Sequence, residues 1–267
     1  MKISAVILAK NEERHIKKTL ESISFCDEVI LIDNGSTDRT VEIVEKSGAI
    51  IYGNHLKEDF AALRNFGLEK AVGEWVLFVD ADEEVTEELR KEIEEVVRHE
   101  IKGKRKVNAY YIKRRDFFWG RELRYGEVKK ARDTGIIRLV KKNSGRFEGK
   151  VHEVFVTKGK TNTLDSFLNH YPHQTVSEFL ERVNYYSTIR AKELLSNHHK
   201  SHLREIIGFP LGKFILTYFF KFGFVDGAAG FAYAFFMAFH SFLVRVKLYQ
   251  YKKFQDLNSY NIKDDRL

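Results

Sequence analysis

The sequence predicts an α/β protein in which helices cover both faces of a mostly parallel sheet, followed by a helical C-terminal extension. Two observations predict this fold. Over the first hundred residues, short apolar runs alternate with amphipathic segments of about ten to fifteen residues. Near the other end, twelve of the 22 phenylalanines lie between residues 209 and 254. We therefore expect the C-terminal part to have a separate role.

The elements of the alternating part follow from hydrophobic periodicity. Continuous apolar runs are typical of strands that are buried on both faces. Between them apolar residues recur at helical spacing, as Ile16, Leu20 and Ile23 do. The predicted strands cover residues 3–9, 29–33, 49–52 and 75–79. The predicted helices cover residues 12–24, 41–48, 58–72 and 86–97, and Gly48 and Gly73 are expected to end two of them.

The remainder of the chain gives sparser signals. Strand-like runs cover residues 109–112, 136–140 and 154–156. Thr175 and Glu178 have the spacing of a capping box, which predicts a helix from residue 176 to residue 197. Because this helix would separate His170 and His173 from His198, His199 and His202, we expect no zinc site among them.

Composition restricts the class of protein. The 267 residues are 43% hydrophobic, which is enough for a buried core and excludes disorder over most of the chain. A formal net charge of +7 favours anionic partners. The single cysteine, Cys26, allows neither an internal disulfide nor a cysteine-based zinc cluster, so a reducing compartment is expected. The N-terminus has no cleavage site behind its apolar run, and we predict a cytoplasmic protein.

Three aspartates follow the ends of predicted parallel strands. Asp33 ends the second strand, and Asp80 and Asp82 follow the fourth. Ligands of open α/β sheets bind beyond the carboxyl ends of the strands, so the three acids should converge on one crevice. Such oxygen ligands suit Mg²⁺ or Mn²⁺ shared with substrate phosphates. The alternative is that the acids only cap helices, which is the role we expect for Asp38.

Several motifs together resemble a known family. They are AKNEE after strand one, DNGSTDRT after strand two, FAALRNFGLEKAVGEWVLFVDADE around strand four, Arg138-Leu139, GRFEGKVHE at residues 145–153, and the Phe-rich C-terminus. This set resembles the family 2 glycosyltransferases of the GT-A fold, a Rossmann-like architecture. It is most similar to the lipopolysaccharide inner-core beta-1,4-glucosyltransferase subgroup. The resemblance spans most of the chain.

The resemblance implies roles for individual residues. Glu153 would be the catalytic base, and His152 would orient the acceptor or contact the diphosphate or metal. Asp82, with Asp80, would bind Mg²⁺ or Mn²⁺. The residues implied in nucleotide-sugar binding are Ala9, Asn11, Glu12, Asp33, Arg64, Asp80 and Arg138. Trp119, Arg124 and Tyr125 are expected to bind the acceptor, although aromatic residues at these positions would equally suit burial and the cations a solvated surface.

The implied reaction is a single transfer. Processive members of the family carry QxxRW, whereas residues 134–139 read TGIIRL. The expected donor is a nucleotide-diphosphate sugar, with UDP-glucose favoured, and the expected acceptor is a lipopolysaccharide core or another lipid-linked glycan. One alternative is a haloacid-dehalogenase-like phosphatase, but that motif needs a threonine where Glu84 stands. Another is a non-catalytic basic module that binds membrane or nucleic acid; a nucleic-acid partner is not expected for the enzyme.

The sequence is divided into three functional parts. Residues 1–108 are predicted to bind the nucleotide sugar, residues 109–170 to bind the acceptor and supply the base, and residues 171–267 to form a helical, Phe-rich region that associates with the membrane. The uncharged run at 227–244 is at the lower limit for a bilayer span, and its aromatic residues favour the interface of an anionic membrane. A span, or a core or dimer contact, is the alternative. The predicted location is the inner face of the cytoplasmic membrane, peripheral or monotopic, with the oligomeric state left open.

Overall fold

The computed structural model of the chain describes residues 3–53, 59–101, 107–149, 153–172 and 174–264. The chain divides into two compact units. The first comprises residues 1–117 and 130–171, and the second comprises residues 118–129 and 172–267. The three functional parts that the sequence predicts remain a prediction.

Strands and helices alternate over about the first hundred residues, as the sequence predicts, and strands dominate the rest of the first unit. The strands are β1 (Ile3–Ala9), β2 (Glu28–Asp33), β3 (Ile50–Gly53), β4 (Trp75–Asp80), β5 (Glu83–Val85), β6 (Val107–Phe118), β7 (Arg121–Leu123), β8 (Ile136–Lys141), β9 (Gly145–Glu148), β10 (Val154–Thr157) and β11 (Lys160–His170). The helices are α1 (Ile16–Ser22), α2 (Thr40–Glu45), α3 (Phe60–Lys70), α4 (Glu87–Ile101), α5 (Lys129–Thr134), α6 (Val176–Ser196), α7 (Leu203–Ile215) and α8 (Gly227–Asp264).

The main sheet has a parallel half and a mixed half. Along it the strands run in the order β3-β2-β1-β4-β8-β6-β11-β5. The first four are parallel to one another. β8 is antiparallel to both of its neighbours, β4 and β6, and β11 is parallel to β6 but antiparallel to β5. This confirms the α/β class, and the functional edge of the parallel half is the one where β1, β2 and β4 end.

Helices pack on both faces of the sheet, because successive residues of each buried strand point to opposite faces. Ile3, Ala5 and Ile7 of β1 belong to a hydrophobic cluster that includes residues of α1 and α4. Val6 belongs to a second cluster with residues of α3. At Gly67 of α3, a Cβ atom would lie 2.5 Å from a methyl group of Val6, so glycine allows this helix to approach the sheet closely.

The structure differs from the sequence prediction at weakly apolar segments. β11 was not predicted, since KTNTLDSFLNH buries only Leu164 and Leu168 and lacks a continuous apolar run. β5 lies among the acids that follow β4, where the sequence predicts no strand. Helix α3 ends at Lys70, three residues before Gly73, because Ala71 has an extended conformation.

The second unit is built mainly from α6, α7 and α8. The predicted capping box is confirmed, because the Thr175 hydroxyl accepts from the backbone of Glu178 and the Glu178 side chain accepts from the backbone of Thr175. Helix α8 packs against both α6 and α7. A π-helical turn at Leu216–Phe220 and a 3-10 turn at Gly223–Asp226 join α7 to α8. The two helices therefore form a hairpin.

Two carboxylates, half-buried Glu127 and buried Asp226, form hydrogen bonds between the segment 118–129 and this hairpin. Glu127 accepts hydrogen bonds from Lys213 (2.7 Å), Thr217 (2.9 Å) and Lys221 (3.0 Å). Asp226 in turn accepts from the backbone N–H groups of Arg124 and Tyr125, both at 2.9 Å. Burial opposes ionisation of Glu127, but the two ammonium groups outweigh it and hold its pKa below the ordinary value.

One described helical stretch, Gly223–Gln255, has the length and apolar composition that a membrane crossing requires. Only 28% of its most apolar window is buried within the protein. The C-terminal extension that the sequence predicts is thus present, and much of its apolar surface is exposed.

We expect Glu127→Gln to destabilise the second unit. The amide cannot neutralise Lys213 and Lys221, and hydrogen bonds to charged groups contribute roughly 1.5–3 kcal/mol. Because the folded pKa of Glu127 lies below the unfolded one, its contribution is present above the unfolded pKa of about 4.5 and is lost as the pH falls through the folded value. The midpoint of urea unfolding at pH 7 should therefore fall, and the acid sensitivity of unfolding should weaken. Glu181→Gln, on the exposed face of α6, serves as the control.

Candidate functional site

The parallel strands place three candidate residues at one edge of the sheet. In the register of β1 with its neighbours, Ala9 pairs with Asp33 and Leu8 pairs with Asp80. Adjacent strands are about 4.8 Å apart, so Asp33 and Asp80 flank β1 at a separation of about 10 Å. The shared edge predicted from the sequence is therefore present in the structure for these two acids.

The loops that follow β1 and β2 are hydrogen-bonded to each other. The Asn11 side chain accepts from the backbone N–H of Thr37 at 2.7 Å, and its own backbone N–H donates to Ser36. The backbone N–H of Glu12 donates to the hydroxyl of Thr40 at 2.8 Å. Asn11 has a positive φ of 59°, a conformation that asparagine adopts more readily than most residues. Both loops thus form one connected rim.

Two aspartates stabilise this rim from within. Asp33 accepts from the backbone N–H groups of Gly35 and Ser36, so its carboxylate shapes the turn that follows β2. Asp38 accepts from Thr40 in the first turn of α2 and from the backbone of Glu13. Asp38 therefore has the capping role that the sequence predicts.

Asp80 lies between two buried arginines. Arg64 of α3 donates to its Oδ1 atom at 2.8 Å, and Arg138 of β8 donates to Oδ2. Burial of the carboxyl would raise its pKa, but the guanidinium groups of Arg138 and Arg64 outweigh burial and hold the pKa of Asp80 well below its usual range. Asp80 is thus an ionised carboxylate in a fixed position.

Arg64 also binds the predicted catalytic base. Its Nε atom donates to Glu153 at 2.7 Å, so one guanidinium joins Glu153 to Asp80. The same guanidinium lies 5.7 Å from the ring centres of Phe78 and Phe147. Its remaining nitrogen, Nη1, is buried and has no hydrogen-bond partner among the residues that the structure describes. A buried cationic donor without an acceptor suits an anionic ligand.

The charged cluster continues from Asp80 through Glu83, which is fully buried. Its carboxylate accepts from Arg138 at 2.8 Å and from the backbone N–H of Asp80 at 2.9 Å. Arg114 lies 3.5 Å from the same carboxylate and donates to Asp116 at 2.9 Å. Glu83 thus connects the Asp80 side of the cluster to Asp116, which is also buried.

His170, at the end of β11, completes the cluster. Its Nδ1 atom is 2.6 Å from Asp116 and its Nε2 atom is 3.4 Å from Asp82. Burial and Arg114 lower the pKa of His170, but the carboxylates of Asp82 and Asp116 outweigh them and raise it to about 9. Sequence reasoning missed His170 because β11 was not recognised; a histidine at the carboxyl end of a strand parallel to β6 is the signal that would have identified it.

The Asp82 carboxylate fits a cation that is shared with a substrate. Within the ranges that the structure describes, no group of three or more His, Cys, Asp or Glu side chains is arranged to hold a metal ion. The Asp82 carboxylate nevertheless suits Mg²⁺ or Mn²⁺, because these ions prefer oxygen ligands and take part of them from phosphates and water.

Four of the predicted site residues lie in the second unit or outside the described residues. Trp119, Arg124 and Tyr125 belong to the second unit, and their role in acceptor binding remains a prediction. Trp119 is exposed and stacks on Phe118, with ring centres 4.4 Å apart. His152 lies outside the described residues.

Comparison with known proteins identifies related chains along nearly the whole length. The model of the family described as Glycosyl transferase family 2 matches residues 4–152. The lipopolysaccharide core biosynthesis glycosyltransferase LpsC of Rhizobium meliloti is 28% identical over 255 residues, covering 93% of this chain and 92% of LpsC. An uncharacterized glycosyltransferase of Rickettsia typhi is 32% identical over 265 residues, covering 92% and 86%. Together with the sheet order, the family match confirms the GT-A type of fold.

Solved structures resemble parts of the chain. Glucosyl-3-phosphoglycerate synthase from Mycobacterium tuberculosis, in complex with Mn²⁺, UDP and phosphoglyceric acid, is 26% identical with a TM-score of 0.35, covering 44% of this chain. TarS of Staphylococcus aureus is 19% identical with a TM-score of 0.44, covering 85% of this chain. The alignments span 43% and 46% of these two proteins, which is less than half of either.

We expect Glu83→Gln to destabilise the first unit strongly. The substitution keeps the shape of the side chain but removes the charge that Arg138 and Arg114 share, and breaking a buried ion pair costs about 3–5 kcal/mol. Urea unfolding followed by tryptophan fluorescence should show a lower midpoint, since Trp75 lies in the core of this unit. Glu88→Gln, on the exposed face of α4, is the matched control. An unchanged midpoint for Glu83→Gln would contradict the role assigned to Glu83.

Proposed function

The chain belongs to glycosyltransferase family 2, and from this premise we propose that it is an inverting, non-processive enzyme that transfers one hexose. The proposed donor is a UDP-sugar, with glucose as the expected hexose. The proposed acceptor is a lipopolysaccharide core or another lipid-linked glycan. Family membership favours glycosyl transfer over the phosphatase and the non-catalytic basic module.

A single observation carries the proposal: the Arg64 guanidinium joins Asp80, at the end of β4, to Glu153. These residues are distant in sequence and come from α3, β4 and the segment before β10. Their convergence at the carboxyl edge of a parallel sheet is the arrangement expected where such folds bind ligands. Perturbed titratable groups, as at Asp80, also cluster at functional sites.

The donor would bind along this edge. The rim formed by Asn11, Glu12 and Asp33 is proposed to contact the base and ribose, next to Ala9 at the end of β1. The unpartnered Nη1 atom of Arg64 supports a role in binding the diphosphate, because a phosphate oxygen would satisfy this buried donor. Arg138 is proposed to assist by keeping Asp80 in place for contact with the ribose or the metal.

Asp82, supported by Asp80, is proposed to hold Mg²⁺ or Mn²⁺, and His170 is proposed to position the Asp82 carboxylate by its 3.4 Å contact. The bound cation would neutralise the negative charge that develops on the departing diphosphate. Asp116 fixes the orientation of the His170 ring by a hydrogen bond, and Arg114 in turn holds Asp116 in place. The Asp82 carboxylate is therefore required for activity, and Asp116 is a positioning residue.

Glu153 is proposed as the general base. Inversion is a single displacement: the acceptor oxygen forms a bond to the anomeric carbon as the bond from that carbon to the diphosphate oxygen breaks. The acceptor hydroxyl proton passes to the Glu153 carboxylate, and such transfer contributes about 10²- to 10⁴-fold in rate. Arg64 orients Glu153 by its 2.7 Å hydrogen bond. His152 is proposed to orient the acceptor.

The proposed acceptor class is supported by a related enzyme, and the proposed acceptor contacts come from residues of the second unit. LpsC is described as an enzyme of lipopolysaccharide core biosynthesis, which supports a glycan acceptor of that class. Trp119, Arg124 and Tyr125 are proposed to contact it by stacking and by charge. A lipid-linked acceptor agrees with a cytoplasmic enzyme that associates with the inner face of the membrane.

We expect Glu153→Gln to lower kcat by at least about 10²-fold while the affinity for UDP is retained, because the amide keeps the hydrogen-bonding shape but cannot accept the proton. The release of UDP from UDP-glucose in the presence of acceptor measures turnover, and calorimetry measures UDP binding. Glu148→Gln, on the exposed strand β9, should behave as the wild type. Turnover retained in Glu153→Gln would remove Glu153 from the role of base.

Thermal shift measurements test the donor and the cation together. UDP-sugars should raise the Tm of the wild type more with Mn²⁺ than without it, because ligand binding stabilises the folded state by mass action. We expect Asp82→Asn to abolish the Mn²⁺-dependent part of this shift. Asp165→Asn, whose side chain is 93% exposed, is the control. A Tm shift that is independent of Mn²⁺ in the wild type would contradict the proposed metal site.

A further inference from the structure

Helix α7 exposes an apolar stripe along its whole length. Apolar residues recur at every fourth position from the start of α7 into the π-helical turn. We call these five residues the α7 stripe: Leu203, Ile207, Leu211, Ile215 and Phe219. All five side chains are exposed, from 46% to 71%. Residues spaced by four lie on one helical face, so the stripe is a continuous surface.

The polarity of α7 is the reverse of that of a helix on the surface of a soluble domain. Such a helix turns its apolar face to the core and its charged face to water. α7 buries none of its residues fully, and its outward face carries the stripe. Lys213, in the last turn, instead points to Glu127 of the segment 118–129.

The charges in this part of the chain are compensated within the protein. Between residues 206 and 244 the Asp, Glu, Lys and Arg residues are Lys213, Lys221 and Asp226. Both lysines donate to Glu127, and Asp226 is buried and accepts from two backbone N–H groups. Compensation of charge is what an apolar solvent requires, because an unpaired charge there is costly. A water-exposed surface has no such requirement.

The apolar surface widens at the turn of the hairpin. Phe220, Phe222, Phe224 and Val225 are all exposed, and Phe220 is 72% exposed. This turn is tightly fixed: the Gly126 backbone N–H donates to the carbonyl oxygen of Lys221, and a Cβ at Gly230 would lie 2.0 Å from the carbonyl oxygen of Gly223. The exposed aromatic residues are therefore held outside by an ordered backbone.

Cations lie at the opposite end of the hairpin. Lys200 and Arg204 are at the start of α7, and Arg245 of α8 lies 4.1 Å from the ring centre of Phe209. That contact places the cationic part of α8 beside the first half of α7. Cations next to an exposed apolar surface complement the phosphates of an anionic membrane.

From these observations we infer that the α7 stripe and the aromatic turn form a docking face for an anionic lipid bilayer, on which α7 lies parallel to the membrane plane. Glu127 makes this possible because it turns two lysines away from the lipid. The inference deepens the membrane localisation within the proposed function, but it depends on the second unit alone and on no catalytic residue.

A bilayer fits this surface better than a second copy of the chain does. A second copy would bring the same cations, whereas anionic headgroups supply the opposite charge. The apolar surface also covers one side of α7 and the whole turn, which suits a fluid apolar phase more than a single complementary protein patch.

Co-flotation of the full-length protein with vesicles tests the inference. The wild type should bind vesicles of phosphatidylethanolamine and phosphatidylglycerol, and bind phosphatidylcholine vesicles more weakly. Leu211→Glu/Ile215→Glu places two charges on the α7 stripe and should weaken binding at least about tenfold, which corresponds to about 1.4 kcal/mol. The matched control is Val176→Glu/Leu180→Glu, which places the same charges at the same spacing on exposed residues of α6 and should leave vesicle binding unchanged.

Circular dichroism and sedimentation velocity complete the test. Both double variants alter exposed side chains, so they should retain the wild-type far-UV spectrum and Tm. Equal vesicle binding by Leu211→Glu/Ile215→Glu and the wild type would overturn the inference. A wild type that fails to bind vesicles but forms a dimer, which this variant dissociates, would assign the face to a second copy. Loss of UDP binding with vesicle binding retained would instead refute the proposed transfer and leave the docking face intact.

Discussion

The paired burial of Asp80 with Arg64 and Arg138 is the interaction on which the candidate site depends. Both arginines are almost fully buried, and a buried guanidinium requires a carboxylate beside it. Asp80, at the end of β4, pairs with both arginines. Glu153 is a second partner of Arg64, and Glu83 is a second partner of Arg138. Since replacing buried ion pairs by apolar residues is often neutral or stabilising, a cluster of this size is better explained by function than by stability. Its rigidity fixes the candidate base relative to the strand edge.

The sequence predicted the parts of the fold that depend on local apolar pattern. β1, β2 and β4 are continuous apolar runs, so their ends and the shared edge of Asp33 and Asp80 could be located from the sequence alone. Glu83 and His170 could not, because their roles arise from pairing across strands that have little apolar signal. β11 lies beside β5 and β6 and brings His170 level with Glu83 and Asp116. Register of this kind is a property of the assembled sheet and not of any one segment.

In the second unit, too, the composition could be read from the sequence, whereas the arrangement of the side chains could not. Twelve phenylalanines between residues 209 and 254 indicated an apolar C-terminal region, but a Phe-rich helix can face a core, a partner or lipid. What distinguishes these cases is the direction of the charged residues. Lys213 and Lys221 are 86 and 94 residues from Glu127 in sequence, so their turning away from the α7 stripe could not be read from local periodicity.

In both units charged side chains that are shielded from water are paired with opposite charges or with backbone N–H groups, but the surfaces that result differ. In the first, carboxylates and arginines are buried together, and among the described residues Arg64 Nη1 has no acceptor, so an anionic ligand can satisfy it. In the second, Glu127 accepts hydrogen bonds from Lys213 and Lys221, and Asp226 is buried, so the charged groups near the turn of the hairpin are held inside the unit. A charged ligand and an apolar environment make opposite demands on a protein surface. The buried charged cluster belongs to the first compact unit and the apolar hairpin to the second, so each of these opposite demands is met within its own unit.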